Sequence, residues 1–362
     1  MREWFRTALA ASALMVAAGC DGEAPAPDAG GDAGADPVMD AGTDAGTEPD
    51  AGPECAGPPG LYAGGGCTEL EVGVRRYETR YELWADGADK ERFVYLPPDT
   101  TIDTSDPDQW VFPVGTRIYK TFLHEGVRLE TRLLEKTDEG SGVGAWDMRA
   151  YAWNEAQDAV EDVTNMPLAV REDVLGTDHD IPSGADCVRC HGGLDVVNGF
   201  SAIMLNHGGA GVTLQTLLDE SRLTEAMAPA DAVMPGDETA AEALGYLHAN
   251  CGHCHRENSG DPSAALTGLR MWVSVDATTV EETETHATSV GVESTYPDPS
   301  PDAICRIDPG VPDESVVLRR MESREMPAQM PPLATEDVDT EGVELVRAWI
   351  ASVTGDASAC TP

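Results

Sequence analysis

The pattern Cys-x-x-Cys-His occurs twice in this chain, and no other feature restricts its fold so strongly. The copies run from Cys187 to His191 and from Cys251 to His255. In a chain of 362 residues with nine cysteines and eight histidines, roughly 0.005 copies are expected by chance. Two thiols on one helical turn can form thioethers with the vinyl groups of a haem, and the following histidine can bind the iron. The two motifs therefore predict two covalently bound haem c groups.

The predicted attachment residues are four thiols, and the predicted iron ligands are two imidazoles. The thiols are those of Cys187, Cys190, Cys251 and Cys254, and the imidazoles are those of His191 and His255. One alternative is a structural zinc site built from the two Cys-x-x-Cys pairs, and another is a pair of dithiol redox motifs. Neither explains a histidine directly after each pair, and thiols exported from the cell tend to oxidise.

The second motif lies between two predicted helices. An apolar run leads into Cys251, and Thr340 is predicted to cap a later helix. The first helix would bury Ala240, Ala241, Ala243, Leu244 and Leu247, and the second Val343, Val346, Trp349 and Ile350. A Met-Pro loop lies between them, and this order resembles the layout of class I cytochromes c. Met330 is the predicted sixth iron ligand because Pro331 and Pro332 stiffen its loop, and Met326 is the alternative.

The sixth ligand of the first iron stays open between several side chains. Met234 precedes a proline at a workable distance from His191, and His207 precedes two glycines that could form a mobile loop. The remaining candidates are His179, Met204 and Met227. An iron without a sixth protein ligand would instead favour catalysis over electron transfer.

A region upstream of the motifs is predicted to form strands. From about residue 68 to 163, apolar and polar residues alternate with period two, and turn residues such as Asp86-Gly87 interrupt the runs. In one such run, Val127, Leu129, Thr131 and Leu133 are predicted to lie on one face, and Arg128, Glu130 and Arg132 on the other. This pattern is typical of half-buried strands in a sandwich or partial barrel. Four tryptophans in the region are candidates for a ligand cleft or for the core: Trp84, Trp110, Trp146 and Trp153.

The N-terminal residues predict export and lipid anchoring. Two arginines and a short apolar run are typical of a secretory signal over 1–19, and small residues precede Cys20 as in a bacterial lipobox. The following segment, 20–54, repeats Asp-Ala-Gly, which predicts an extended acidic tether. We therefore expect a cell-envelope lipoprotein, facing the periplasm or attached to the outer membrane, with its membrane contact made through the acyl chains on Cys20.

The charge of the chain excludes some partners and favours others. The 65 acidic residues exceed the 23 lysines and arginines, which gives a formal net charge of −42. Nucleic-acid binding needs a basic face, so we expect no nucleic-acid partner. An acidic surface instead favours docking to a redox partner protein with a basic face.

Besides Cys20, four cysteines lie outside the motifs, and an even number in an oxidising compartment predicts two disulfides out of three pairings. We prefer Cys55–Cys67, which closes a short loop, and Cys305–Cys360, which fastens the C-terminus.

Four short stretches, at residues 81–90, 110–116, 246–251 and 330–333, resemble a family of exported bacterial dihaem c-type cytochromes. They read Tyr-Glu-Leu-Trp-Ala-Asp-Gly-Ala-Asp-Lys, Trp-Val-Phe-Pro-Val-Gly-Thr, Tyr-Leu-His-Ala-Asn-Cys and Met-Pro-Pro-Leu. The resemblance spans about residues 77–354. It implies electron transfer and assigns the haem roles to the motif residues and to Met330. It fixes no substrate.

The resemblance and the residue patterns together predict an α+β chain. A β-rich, sandwich-like N-terminal domain would precede mainly α-helical, cytochrome c-like haem domains. The predicted segments after the tether are 55–175 for the β-rich domain, 176–237 for the first haem and 238–355 for the second.

An electron carrier is the function that we prefer from the sequence. One alternative is a dihaem oxidoreductase, peroxidase-like or an oxidase subunit, with an open site on the first iron. The other is a ligand-binding lipoprotein that uses its β-rich domain.

Overall fold

The computed structural model describes residues 55–167, 169–174, 177–193, 197–298 and 304–355. These residues belong to one compact unit, Asp50–Pro362. The three predicted segments after the tether therefore lie together in a single unit. The predicted signal, the lipidated Cys20, the tether and Cys360 lie outside the described residues.

A six-stranded antiparallel sheet forms the N-terminal half of the described chain. Its strands follow one another in chain order as β1 (Val74–Tyr77), β2 (Asp89–Tyr95), β3 (Arg117–His124), β4 (Val127–Lys136), β5 (Trp146–Trp153) and β6 (Val160–Asp162). A separate hairpin pairs β7 (Ala169–Val174) with β8 (Thr177–Ile181). With the helices that follow, the chain is α+β, as predicted.

The predicted sandwich differs from the structure, because no second large sheet covers the first one in the described residues. One face of the sheet buries Phe93, Tyr119 and Leu133 against the N-terminal segment around Leu61. Helices and loops from 197–232 cover part of the other face, where they bury aromatic and aliphatic side chains such as Phe200. Helices and loops thus supply the second layer that a sandwich would take from strands.

Strand β4 is not the half-buried strand that its alternation predicts. Glu130, on the predicted polar face, is fully buried, whereas Val127 on the predicted apolar face is 51% exposed. Both faces of the sheet are covered over most of β4, so the polar face of this strand lies inside the protein.

The helices are mostly short. They are α1 (Gly184–His191), α2 (Ala202–Leu205), α3 (Leu214–Asp219), α4 (Glu238–Asn250), α5 (Pro262–Leu266), α6 (Glu284–Ser289), α7 (Val316–Glu322) and α8 (Thr340–Ser352). The two longest, α4 and α8, are the helices predicted on either side of the second motif and the Met-Pro loop, and they pack against each other in one apolar core. The cap of α8 is Asp339 and not the predicted Thr340, because the Asp339 carboxylate accepts the Gly342 N–H at 2.9 Å.

Cys55 and Cys67 form the predicted disulfide. Cys305 is fully buried and disulfide-bonded, but its predicted partner Cys360 lies outside the described residues. Among the helices that the structure describes, none is long and apolar enough to cross a membrane.

Candidate functional site

The second Cys-x-x-Cys-His motif forms a tight turn at the C-terminal end of α4. The backbone N–H groups of Cys254 and His255 both donate to the Cys251 carbonyl, at 3.0 and 2.8 Å. Gly252 makes the turn possible, because a Cβ there would lie 2.6 Å from the His248 carbonyl oxygen. The turn brings the side chains of Cys251, Cys254 and His255 to one cavity.

This cavity, hereafter the larger cavity, measures about 400 Å³ and is predominantly apolar. Aliphatic and thioether side chains form much of its wall: Leu269, Met271, Val316, Val317, Met321 and Val343. Met330, from the loop before α8, lines the same cavity as the motif residues. Large apolar clefts with a few polar groups are typical of cofactor sites.

His255 has the properties that an iron ligand needs. The side chain is buried, and its Nδ1 atom has no hydrogen-bond partner in the described part of the chain. Burial, aided by His253 and nearby arginines, lowers the pKa of His255 to about 4. The imidazole is therefore neutral at pH 7, which is the form that binds a metal. The neutral imidazole, the two thiols and the apolar wall together fit the predicted haem.

The loop that carries Met330 is held by several hydrogen bonds. The Met330 N–H donates to the Arg320 carbonyl at 3.0 Å, and the Arg320 guanidinium donates to the Ala328 carbonyl at 2.9 Å. Met326, the alternative ligand, also lines the larger cavity but is 70% exposed. Met271 and Met321 also line this cavity. Sequence reasoning missed both as candidate ligands, because neither precedes a proline.

The first motif lies on α1, which begins after Ser183. The Asp186 carboxylate accepts both the Ser183 hydroxyl at 2.7 Å and the Ser183 N–H at 3.2 Å, which stabilises the start of this short helix. Cys187, Cys190 and His191 line a second cavity of about 180 Å³, hereafter the smaller cavity. Its opposite wall is the six-stranded sheet, which contributes Arg92, Lys120, Phe122 and Arg132.

Two of the predicted distal ligands reach the smaller cavity. His179 and Met204 both line it, and both are buried. The His179 Nε2 atom lies 3.0 Å from a carboxylate oxygen of Glu130. Burial alone would raise the pKa of Glu130, but Arg132 and His179 outweigh it and lower that pKa to about 2. A carboxylate thus stands next to His179 at neutral pH.

The other predicted distal ligands lie elsewhere. Met234 packs in the apolar core with α4 and α8 side chains and lines neither cavity. His207 lines neither cavity, because its Nε2 atom lies 2.9 Å from the Glu78 carbonyl oxygen and its Nδ1 atom accepts the Gly209 N–H. Met227 packs against the sheet core.

The two motifs lie directly against each other, which the sequence did not predict. A Cβ on Gly260 would lie 2.1 Å from the Val188 carbonyl oxygen and 2.6 Å from Gly192. Arg189 donates to Asp261 across this contact at 2.8 and 3.0 Å. The Cys190 and Cys254 sulfur atoms and a ring nitrogen of His253 lie within 4.8 Å of one another. The only sequence signal for this contact is the presence of glycines beside both motifs.

The two cavities share part of their walls. Trp84, Asn250 and Pro331 line both. The Trp84 backbone N–H donates to the Asn250 side chain at 2.7 Å, and its indole N–H donates to the Asp337 carbonyl at 3.1 Å. The other three tryptophans of the strand region, Trp110, Trp146 and Trp153, are buried in the sheet cores or beside them. Trp84 is therefore the one of these four that fits a cofactor cleft.

The geometry disfavours the two alternatives to haem. A structural zinc site needs four ligands, whereas the described residues bring together only Cys190, His253 and Cys254. In a redox Cys-x-x-Cys motif the first thiol has a lowered pKa. Burial instead raises the pKa of Cys251 to about 12 and also raises the pKa of Cys187.

Comparison with known proteins finds no match among family models, curated proteins or solved structures. The resemblance to exported dihaem c-type cytochromes therefore stays a prediction. The function has to be inferred from the two cavities and the motifs that line them.

Proposed function

We propose that this chain is a dihaem c-type cytochrome that transfers electrons in the bacterial cell envelope. The observation that carries the proposal is the pair of Cys-x-x-Cys-His motifs packed against each other. Cys251, Cys254 and His255 line the larger cavity, Cys187, Cys190 and His191 line the smaller one, and Cys254 lines both. Haem c, when bound, supplies a one-electron Fe(III)/Fe(II) couple. The protein would attach and orient two such groups.

In the larger cavity, Cys251 and Cys254 would provide the thioether links and His255 the first iron ligand. Met330 would be the second iron ligand, held by the hydrogen bonds of its loop to Arg320. A thioether ligand is neutral and soft, so it favours ferrous iron and raises the reduction potential. The apolar wall acts in the same direction because it excludes water from the site.

In the smaller cavity, Cys187, Cys190 and His191 would hold the first haem. His179 and Met204 are the described side chains on this wall that could complete the iron coordination. His179 could bind the iron through Nδ1 while its Nε2 atom keeps its contact with Glu130, whereas Met204 would leave the apolar core that it shares with α4.

The contact between the motifs supports a relay rather than two independent sites. Cys190 and Cys254 would each carry a thioether, and their sulfur atoms lie within 4.8 Å of each other. Trp84 forms part of both cavity walls. Electrons would pass between the two groups inside one chain, and the strongly acidic surface would dock a redox partner with a basic face. The lipid on Cys20 would keep this relay at a membrane surface.

A dihaem oxidoreductase is the second candidate, and one observation favours it. The smaller cavity contains Arg92, Lys120 and Arg132, and the His179–Glu130 pair faces the same motif. Such groups could bind a substrate and move protons if the first iron has an open position. Carbon monoxide binding by the reduced protein, with peroxide turnover, would favour this candidate over the relay. The third candidate, ligand binding by the strand region alone, loses support because three of its four tryptophans are buried.

The Met330→Ala variant tests the assignment of the second site. If Met330 binds the iron, the far-red methionine–iron charge-transfer band of the oxidised protein disappears and the reduction potential of one haem falls. Met326→Ala is the matched control, because it removes a methionine from the same loop and the same cavity. A band that persists in Met330→Ala and disappears in Met326→Ala would reassign the ligand.

A further inference from the structure

Three cations form a continuous row across the sheet. Arg92 on β2 lies directly opposite Lys120 on β3, and Lys120 lies directly opposite Arg132 on β4. Like charges in directly opposite positions destabilise a sheet. A protein with a net charge of −42 has few cations to place, yet three of them occupy neighbouring positions on one face. This arrangement needs a compensating interaction.

Carboxylates compensate the two ends of the row. Arg92 donates to both oxygens of Glu82, at 2.7 and 3.1 Å. Arg132 donates to both oxygens of Glu130, at 2.6 and 2.9 Å. These are bidentate pairs, which are the strongest form of this interaction. The positive charges at the two ends are therefore already matched.

The middle of the row is not compensated in the same way. Where the structure describes side chains, no carboxylate lies within ion-pair distance of the Lys120 ammonium. The ammonium instead lies 4.8 Å from the centre of the Phe122 ring. Burial, together with Arg92 and Arg132, lowers the pKa of Lys120 well below its usual range. An anion in contact with this side chain would relieve both the burial and the repulsion.

The row faces the first attachment motif. All three cations line the smaller cavity together with Cys187, Cys190 and His191. Asp186, on the motif side, is occupied by its hydrogen bonds to Ser183. A cavity of about 180 Å³ can hold a carboxylate group or a small tetrahedral anion beside these donors. The ammonium group and the guanidinium groups are the donors that such oxygens prefer.

We propose that Arg92, Lys120 and Arg132 form an anion site that binds a carboxylate or a small oxyanion beside the first motif. Two sources offer this chemistry. One is the pair of carboxylates on the porphyrin attached at Cys187 and Cys190, and this source rests on the proposed function. The other is a soluble oxyanion that enters the smaller cavity, which would make the row a substrate or effector site.

The test compares Lys120→Met with Lys136→Met in the mature protein. Lys136 is the control because it is a buried lysine of the same sheet that lines neither cavity, whereas Lys120 is half-buried and lines the smaller one. Haem is first counted by pyridine haemochrome. Inorganic phosphate is then titrated while thermal unfolding is measured, and both reduction potentials are measured across a range of pH. Lys120→Gln replaces Lys120→Met if the latter does not fold, and Lys120→Arg should restore the wild-type behaviour.

A soluble anion predicts that phosphate raises the unfolding temperature of the wild type, with binding about tenfold weaker in Lys120→Met. If the anion is instead a carboxylate of the attached porphyrin, phosphate should have no effect on the unfolding temperature. In Lys120→Met, but not in Lys136→Met, one haem should then have a lower reduction potential with an altered pH dependence. The anion site is wrong if Lys120→Met and Lys136→Met behave alike in both measurements. A haem count of zero would overturn the proposed function separately, because the phosphate titration needs no haem.

Discussion

The two Cys-x-x-Cys-His motifs share a five-residue pattern but lie in different surroundings. The second follows the 13-residue helix α4 and lines an apolar cavity with a methionine loop. The first lies on the eight-residue helix α1 and faces charged side chains of the sheet. Under the proposed function, both motifs would attach haem, and their surroundings would determine what each site does. The second site would suit electron transfer, and the first could also accept a polar ligand.

The contact between the motifs is the feature whose disruption should have the largest effect. In Gly260→Ala, the new methyl group would overlap the Val188 carbonyl and Gly192, both of which are backbone. We expect a loss of about 3 kcal/mol in the free energy of unfolding, measured by denaturant titration. Gly144→Ala is the control, because a Cβ there meets no atom within 4 Å. Equal stability of the two variants would show that the motifs are not tightly packed.

The second prediction concerns stability at acid pH, because helix α4 contains His248, which is buried and neutral in the folded protein. His248 accepts the Val273 N–H at 3.0 Å, and burial, aided by Arg256 and His253, lowers its pKa to about 3. The unfolded chain, with a histidine pKa of about 6.5, binds more protons than the folded chain between these values. Stability should therefore fall as the pH drops below about 6.5, by up to about 1.4 kcal/mol per pH unit from this residue.

Denaturant titrations between about pH 6.5 and 5.5 measure this slope above the range where ordinary carboxylates titrate. In His248→Gln the slope should be smaller than in the wild type. A slope in His248→Gln as steep as that of the wild type would mean that another group causes the acid sensitivity.

The smallest expected effect on stability comes from replacing Trp84, at the place where the two cavities meet, and Trp110 is its control. Trp84→Phe removes the indole N–H that donates to Asp337 at 3.1 Å, and Trp110→Phe removes one that donates to Pro107 at the same distance. Each should cost about 1 kcal/mol. Trp84 lines both cavities and Trp110 neither, so only Trp84→Phe should shift the potentials of both haems. A shift of one haem alone would place Trp84 in a single site.

Much of the secondary structure was predictable because it follows local patterns. The apolar period before Cys251 predicts α4, and the run from Val343 to Ile350 predicts α8. The Cys55–Cys67 disulfide was predictable because it closes a short loop. The cap of α8 was displaced by one residue, because Asp339 and Thr340 are both good capping residues and only the backbone geometry selects between them.

Contacts between distant residues were not predictable in this way. The row Arg92–Lys120–Arg132 depends on strand register, and the Arg189–Asp261 contact joins positions 72 residues apart. The alternation in β4 suggested a solvent face because Glu130 and Arg132 are charged, but the protein covers that face. Met234 and His207 were predicted as distal ligands because a proline follows Met234 and two glycines follow His207. Tertiary packing instead brings His179 and Met204 to the cavity of the first motif.

The most direct test of the account is the number of haems on the purified mature protein, measured by pyridine haemochrome and by intact mass. We predict two haems per chain, and one in the Cys251→Ala/Cys254→Ala double variant. The control Cys55→Ala/Cys67→Ala, which removes only the disulfide, should keep both. A colourless wild-type protein whose mass includes no porphyrin would contradict the central claim, and bound zinc in its place would establish the alternative.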